Sequence, residues 1–271
     1  MCLVYKRLRE AGLNPSTQAG GDVRIAVRPV AIDRPWAWLA AGWQDLQQAR
    51  TVSLAYGAAL VGLSWLLTLV LLVYDAFYFI LPLTAGFFLV APILATGLYD
   101  VSRRLAAGEA PTLVQSLGAW RRNGMQIGWL AAILLLIHLA WFRLATLLYA
   151  LFFVDVAPAP TIAHLLETVL FSRQSLAFLF VGAASGAILA AATFAIAVVS
   201  IPMLIDRDVS ALTAIAASLR AVQVNLRPLA LWAVLIVMFT GFALVPFFLG
   251  LAVVMPLIAH ASWYAYKDMI E

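Results

Sequence analysis

Three ionisable side chains within or beside apolar stretches are the residues best suited to chemistry in this sequence. His138 and Arg143 lie inside one apolar run, and Asp75 interrupts another. Ionisable groups inside a membrane span are costly and commonly mark a substrate path, a proton path or a paired site. His138 and Arg143 lie about 140° apart around a helix of 3.6 residues per turn, so they do not form one site by themselves. We treat His138, Arg143 and Asp75 as a candidate intramembrane polar site. A structural role stays open, in which Arg143 extends to the membrane surface or pairs with Asp75 or Asp155.

Other kinds of chemistry have little support in the residues. Cys2 is the single cysteine, so an intramolecular disulfide and a cysteine-based metal site are excluded. The sequence has no Gly-rich phosphate loop, no nucleophile elbow and no metal-ligand spacing. It also has no nucleic-acid-binding motif. We therefore expect no catalytic residue, no metal, no cofactor and no nucleic-acid partner.

The composition places the chain in the membrane. Of its 271 residues, 65% are hydrophobic and 11% are charged. Soluble domains have about 45–50% apolar and about 25% charged residues. A chain this apolar cannot bury all its apolar surface around one core, so the bilayer must solvate much of it.

Long apolar runs predict the membrane spans. About 20 apolar residues suffice to cross the hydrocarbon core. The fold class expected is an all-α polytopic membrane bundle of six transmembrane helices. The expected spans are Ser53 to Tyr74, Phe77 to Tyr99, Ile127 to Leu151, Ser175 to Ile205, and two within Arg227 to Lys267 that are joined by a tight turn near Leu244 to Phe247.

One amphipathic segment precedes each pair of predicted spans. The first begins at Pro35 and places Trp36, Leu39, Trp43 and Leu46 on one face, which predicts a helix in the headgroup region because indoles favour it. The second begins at Pro111, and the third follows the charged run at residues 206–208.

This order indicates three repeats of a surface helix followed by two spans, at about residues 35–100, 111–208 and 208–267. The second span of each unit ends similarly, as VAPILATGLYD, VSIPMLIDRD and VVMPLIAHASWYAYKD. Each ending contains a proline, and we expect helix kinks at Pro92, Pro202 and Pro256. Parallel repeats of this kind favour a pseudo-symmetric bundle. The alternative is coincidence, since proline is frequent in membrane helices.

Small residues in the fourth span suggest a close helix contact. Gly182 and Gly186 form a GxxxG pattern within GAASGAILAAA. Small residues let helices approach closely. Packing inside the bundle is the preferred interpretation, and a dimer face is the alternative.

Basic residues set the expected topology. With both termini in the cytoplasm, all of the 17 Lys and Arg residues face that side except Arg143 and Arg173. Residues 1–34 then form a flexible cytoplasmic tail, and residues 35–271 form the integral membrane domain. Basic loops attract anionic headgroups, so the expected partner is a bilayer with anionic lipid, and a membrane complex is a further candidate partner.

Several stretches resemble a known family. The segments RPWAWLAAGWQDL, LPLTAGFFLVAPILATGLYDVSRRL and IPMLIDRDVSALTAIAASLRAV are similar to those of a bacterial domain-of-unknown-function family of predicted integral membrane proteins. The resemblance covers about residue 25 to the C-terminus. It implies a bacterial inner-membrane protein with several spans, and it carries over no functional residue. Some members are labelled cytochrome c oxidase subunit I.

The histidines argue against the oxidase label. A haem–copper core needs several intramembrane histidines, and this chain has three, His138, His164 and His260. His164 falls in a loop, and the expected depths of the other two differ by roughly half a bilayer. We therefore expect a non-enzymatic accessory, scaffold or assembly protein of the inner membrane. The alternatives are a small transporter or channel with a path near His138 and Arg143, or, less favoured, an intramembrane enzyme.

Overall fold

A computed structural model describes residues 25–156, 159 and 161–270. Within these residues the chain is helical, apart from turns, extended connections and an isolated antiparallel bridge between Val27 and Ile270. The helices are α1 (Arg34–Gln48), α2 (Arg50–Val73), a 3₁₀ turn (Phe77–Phe79), α3 (Ile80–Leu94), α4 (Thr96–Ala106), α5 (Leu113–Leu117), a 3₁₀ helix (Ala119–Asn123), α6 (Gly124–Phe152), α7 (Ile162–Phe171), α8 (Ser175–Asp206), α9 (Ala211–Val224), α10 (Leu226–Leu244) and α11 (Leu251–Met269).

Five helical stretches are long and apolar enough to cross a membrane: Arg50–Val73, Phe77–Ala106, Ala119–Phe152, Ser175–Asp206 and Leu226–Leu244. They confirm the all-α polytopic bundle. The last helix, α11, is not among them, because its second half is polar and includes His260, Lys267 and Asp268. The sixth span therefore stays a prediction. The turn before it, at residues 245–250, lies where the sequence placed one.

Local sequence signals explain how the surface helices begin. Pro35 occupies the first turn of α1, where its missing N–H costs nothing. Thr112 and Gln115 form a reciprocal capping box at α5. The Ser210 side chain accepts a hydrogen bond from the backbone N–H of Thr213 at the start of α9.

The first surface helix buries a face that the sequence did not single out. Trp38 and Leu46 are buried, whereas Trp36 and Trp43 are exposed. The buried face packs along α11, and the Trp38 ring meets the edge of Trp232 at a centroid distance of 5.9 Å. This face is buried because Gly42, which lies on it, has no side chain and lets the backbones of α1 and α11 approach closely.

The core lies where the three predicted endings meet. Residues 96–102, 197–205 and 258–263 are buried without interruption, and α4, α8 and α11 contact one another there. We call this end of the bundle the basic end, because Arg103, Arg104, Arg121, Arg122 and Arg207 lie there.

The surface helices pack in a regular order. Each lies on the second helix of the preceding unit: α5 on α4, α9 on α8 and, closing the ring, α1 on α11. In two of the three predicted units, the first span also packs on the second helix of the preceding unit, as α2 does on α11 and α6 does on α3. The third pair, α10 and α8, makes no comparable contact, although both helices are described along their whole length. The threefold repeat stays a prediction, and this order of contacts supports it.

The N-terminal boundary lies earlier than the sequence suggested. Residues 25–33 are held against the end of α11, with the Arg28 N–H donating to the Met269 carbonyl at 2.8 Å. Asn225 accepts from the Val30 N–H and donates to the Arg28 carbonyl, which satisfies this extended backbone. These residues belong to the folded part of the chain, and the predicted tail at residues 1–24 lies outside the described residues.

Candidate functional site

A buried histidine joins three helices near the basic end. His260 of α11 is fully buried, and its Nε2 lies 2.9 Å from the Ser53 hydroxyl of α2. Its Nδ1 lies 2.7 Å from the Ser102 hydroxyl of α4. Both serines are also fully buried. The two ring nitrogens are thus satisfied by hydroxyls, which donate or accept as the tautomer requires.

A buried carboxylate lies beside this triplet. Asp45 of α1 is only 2% exposed, and its Oδ1 accepts from the Tyr264 hydroxyl at 2.9 Å. Its Oδ2 is buried and has no hydrogen-bond partner among the described residues. Burial raises the pKa of the Asp45 carboxyl, against the opposing effect of the Ser102 and Tyr264 hydroxyls. No signal in the sequence marks this position, because Asp45 lies outside the predicted apolar face of the helix.

Aspartates near the three endings are held by cations. Asp100 is fully buried, and Asp206 and Asp268 are partly buried. The pairs are Asp100 with Arg103 and Arg104 at 2.8 and 2.7 Å, Asp206 with Lys267 at 3.1 Å, and Asp268 with Arg34 at 2.7 Å. The pair of Asp206 with Lys267 joins α8 to α11, and the pair of Asp268 with Arg34 joins α11 to α1, whereas Asp100 pairs within its own helix.

The structure does not bring the three predicted polar residues together. His138 is half-buried, with its Nδ1 3.2 Å from the Gly86 carbonyl, and it lines a cavity of about 200 Å³ between α2, α3 and the α10–α11 turn. Arg143 is exposed one and a half turns further along α6 and does not line that cavity. Asp75 is exposed in the α2–α3 connection with a φ of 52°. Within the described chain, no hydrogen bond or ion pair joins any two of the three.

The predicted small-residue contact is formed by one glycine of the pair. A Cβ on Gly186 would lie 3.1 Å from the Trp141 ring of α6, so this glycine packs inside the bundle. A Cβ on Gly182 would meet nothing within 4 Å. Trp141 is fixed by its indole N–H, which donates to the Pro82 carbonyl at 2.8 Å.

The predicted kink prolines differ in their surroundings. Pro202 and Pro256 lie inside α8 and α11, which continue without interruption. Pro92 lies two residues before α3 ends, and α4 resumes the helix after Ala95. Kinks at all three prolines stay predictions.

The larger cavity is a lateral cleft between α8 and α10. Its volume is about 580 Å³, and α3, α4 and α11 close its inner side. The walls are mostly alanine, valine and leucine, for example Ala191 on α8 and Ala233 and Val237 on α10. The cleft lies where α10 would contact α8 if the third unit packed like the other two.

Hydroxyl groups are the polar part of this cleft. Tyr99, Thr193, Thr240 and Ser262 line it, and their side chains make no hydrogen bond to the described residues. The Thr193 hydroxyl is buried as well as unpartnered. Sequence reasoning missed all four, because a hydroxyl in an apolar span usually bonds to the carbonyl one turn earlier and gives no separate signal.

Comparison with known proteins gives one family. Residues 80–206 match the model of DUF2189, described as a predicted integral membrane protein. No curated protein and no solved structure is detectably similar to the chain. The match confirms the family resemblance over α3 to α8, and it gives no support to the oxidase label. The chain is therefore an integral membrane protein with several membrane-spanning helices, and its residues 80–206 are similar to the DUF2189 family.

Proposed function

We propose that the protein is a non-enzymatic accessory protein of the membrane that binds another membrane component in the cleft between α8 and α10. The cleft carries the proposal. Small-molecule sites in proteins are mostly apolar cavities of about 300–1,000 Å³ with a few polar groups. The cleft, at about 580 Å³ with four hydroxyls, has these properties.

The buried polar network supports a structural role for the most reactive side chains. Catalysis needs a substrate to reach the acting groups. His260, Ser53 and Ser102 are fully buried and saturated by one another. Neither of the two described cavities is lined by any of the three. The network therefore holds α2, α4 and α11 together.

The transporter or channel alternative has less support. A path for ions or polar solutes needs polar groups along its length. The cavity beside His138 is lined mainly by leucine and phenylalanine, and its volume is about 200 Å³. Arg143 and Asp75 lie outside its lining. The lateral cleft also fits a component already in the bilayer better than a solute that crosses it.

The cellular setting is part of the proposal. The basic end faces the cytoplasm of a bacterial inner membrane, because Lys and Arg are enriched on the cytoplasmic side of membrane proteins. The ring of α1, α5 and α9 then lies at that surface, with the indoles of Trp36 and Trp43 exposed to the headgroups.

Photo-cross-linking in native membranes tests this function. A diazirine amino acid replaces Ala233, which lines the cleft, and in a matched control it replaces Leu66, which is 57% exposed on α2 and lines neither cavity. We expect one adduct of defined mass from position 233, either a protein or a lipid, and a mixture from position 66. The same mixture from both positions would refute a specific site.

A further inference from the structure

We infer that the cavity beside His138 binds an uncharged, lipid-soluble alcohol, whose hydroxyl group donates a hydrogen bond to the Nε2 of His138. The ligand is an apolar chain with a free hydroxyl at one end. The cavity is separate from the cleft between α8 and α10, so this inference goes beyond the accessory function proposed for that cleft.

The contact with Gly86 determines which ring nitrogen of His138 carries a hydrogen. Nδ1 lies 3.2 Å from the Gly86 carbonyl, and a carbonyl oxygen only accepts, so Nδ1 is the donor. Among the described residues, none that lines the cavity is acidic, so a charged imidazolium would lack a counter-ion in apolar surroundings. In the uncharged ring the lone pair is therefore on Nε2, and no described residue donates to it.

Packing holds the imidazole in one orientation. A Cβ on Gly86 would lie 2.5 Å from the Cε1 and 2.7 Å from the Nδ1 of His138, so this edge of the ring lies closely against the α3 backbone. Trp141, on the next turn of α6, is fixed by its hydrogen bond to the Pro82 carbonyl. Because His138 also lines the cavity, the opposite edge of the ring, which contains Nε2, is the part left to face that space.

The other polar groups of the cavity favour a hydroxyl over a ketone, an ester or an ether. Ser64 and Thr68 line the cavity, but their hydroxyls donate to carbonyls one turn earlier in α2, at 2.9 and 2.8 Å. Thr84 also lines it, and its hydroxyl makes no hydrogen bond to a described residue. A ligand with acceptors alone could bond to Thr84, but it would leave Nε2 of His138 without a donor. An alcohol can donate to Nε2 and still accept a hydrogen bond.

Depth and volume limit the ligand further. His138 lies 14 residues after Gly124, the first residue of α6, which is about 21 Å along the helix, so a charged ligand there would be poorly solvated. The other walls are chiefly leucine and phenylalanine. The cavity holds about 200 Å³, which at roughly 30 Å³ for a group the size of a water molecule corresponds to about seven methylenes. A single short chain, or the first part of a longer one, fills this space.

Photolabelling of the full chain in proteoliposomes tests the ligand class. The probe is 1-octanol with a diazirine on its chain, and the matched control is its methyl ether, which has the same chain and no O–H. We expect saturable labelling of cavity residues on α2 and α3, with the alcohol half-saturating at a roughly fivefold lower membrane concentration than the ether, for one hydrogen bond. Equal labelling by the two probes, or labelling that does not saturate, would overturn the inference.

A variant of the histidine tests the role of Nε2. His138→Phe keeps an aromatic ring, so it should abolish the preference for the alcohol while labelling by the ether remains. The control is His164→Phe, because His164 is exposed on α7 and lines neither described cavity. A preference for the alcohol that survives His138→Phe would refute the assignment.

A steric variant covers the case in which His138→Phe does not fold. Ser64→Leu adds volume inside the cavity and should reduce labelling by both probes. Gly62→Leu is the control on the same helix, because a Cβ there meets nothing within 4 Å and Gly62 lines neither described cavity. Labelling that is unchanged in Ser64→Leu, or equally reduced in both variants, would overturn the inference.

Competition identifies the source of the hydroxyl. Unlabelled 1-octanol represents a free single-chain alcohol, and dioctanoylglycerol represents a diacylglycerol of the bilayer. Displacement of the probe by either compound supports the inference and names the source, whereas displacement by neither overturns it. Labelling confined to the cleft between α8 and α10 would also overturn it, and the cross-link from position 233 tests the accessory function separately.

Discussion

Replacing His260 should cost more stability than replacing any other histidine in the described chain. His260→Ala leaves two buried hydroxyls, those of Ser53 and Ser102, without their partner. An unsatisfied buried group costs about 1–3 kcal/mol, so the pair costs about 2–6 kcal/mol before the cavity is counted. At about 2–4 °C per kcal/mol, the melting temperature should fall by roughly 5–20 °C.

The assay is thermal unfolding in detergent, followed by size-exclusion chromatography of the heated protein. His138→Ala is the matched control, because His138 is half-buried and makes one 3.2 Å contact with a carbonyl. We expect the control to lose much less than His260→Ala. Equal losses in the two variants would refute the reasoning from hydrogen bonds.

Amide replacements separate the two bonds. An asparagine at position 260 places its amide near the Nδ1 position and keeps a bond to Ser102, whereas a glutamine reaches the Nε2 position and keeps a bond to Ser53. In His260→Asn the bond to Ser53 is already lost, so adding Ser53→Ala should lower the stability little further. In His260→Gln the bond to Ser102 is already lost, so adding Ser102→Ala should likewise lower the stability little further. If the serine substitutions cost the same in every background, the three side chains are not coupled.

Three further predictions follow from packing and charge. Gly57→Ala should strongly reduce the folded yield, because the new Cβ would overlap a backbone carbonyl of α11, whereas Gly62→Ala in the same helix meets nothing within 4 Å and should be neutral. Gly186→Ala should lower the melting temperature, because its Cβ would lie 3.1 Å from an indole of α6, and Gly182→Ala should leave it unchanged; the opposite order would contradict internal packing of this glycine. Burial raises the pKa of the Asp45 carboxyl above its ordinary value, so its contribution to stability is complete below about pH 4 and is lost as the pH rises through the raised pKa. Asp45→Asn should remove that loss, and melting temperatures measured between pH 4 and pH 8 that run parallel in the two proteins would contradict it.

The sequence was a good guide to the helices, because spans and surface helices depend on local composition. The apolar runs predicted five stretches that the structure shows to be long and apolar enough to span a membrane. Pro35 and the Thr112 capping box marked where surface helices begin. Each of these features depends on residues within one or two turns of each other, so no tertiary information is needed.

The candidate sites depend on contacts between distant residues, and the sequence missed them for that reason. His260 and Ser53 are separated by 207 positions, and His260 and Ser102 by 158. The choice of the buried face of α1 depended on Gly42, which matters only because α11 lies against it. Arg143 drew attention as a charge in an apolar run, yet its side chain is exposed and makes no hydrogen bond or ion pair with a described residue.

The order of helix packing has a consequence for how the fold is completed. The surface helices α5 and α9 lie on α4 and α8, which precede them in the chain, so their partners exist when they emerge. The first surface helix lies on α11, which follows all the other described helices in the chain, so α1 cannot pack until α11 has been made. Until then the hydroxyls of Ser53 and Ser102 lack their hydrogen-bond partner His260. Gly42 of α1 and Gly57 of α2 likewise lack the α11 backbone against which they pack. The buried polar contacts of α11 therefore form last, and they make docking of this helix specific, because no other described helix offers a histidine to both serines.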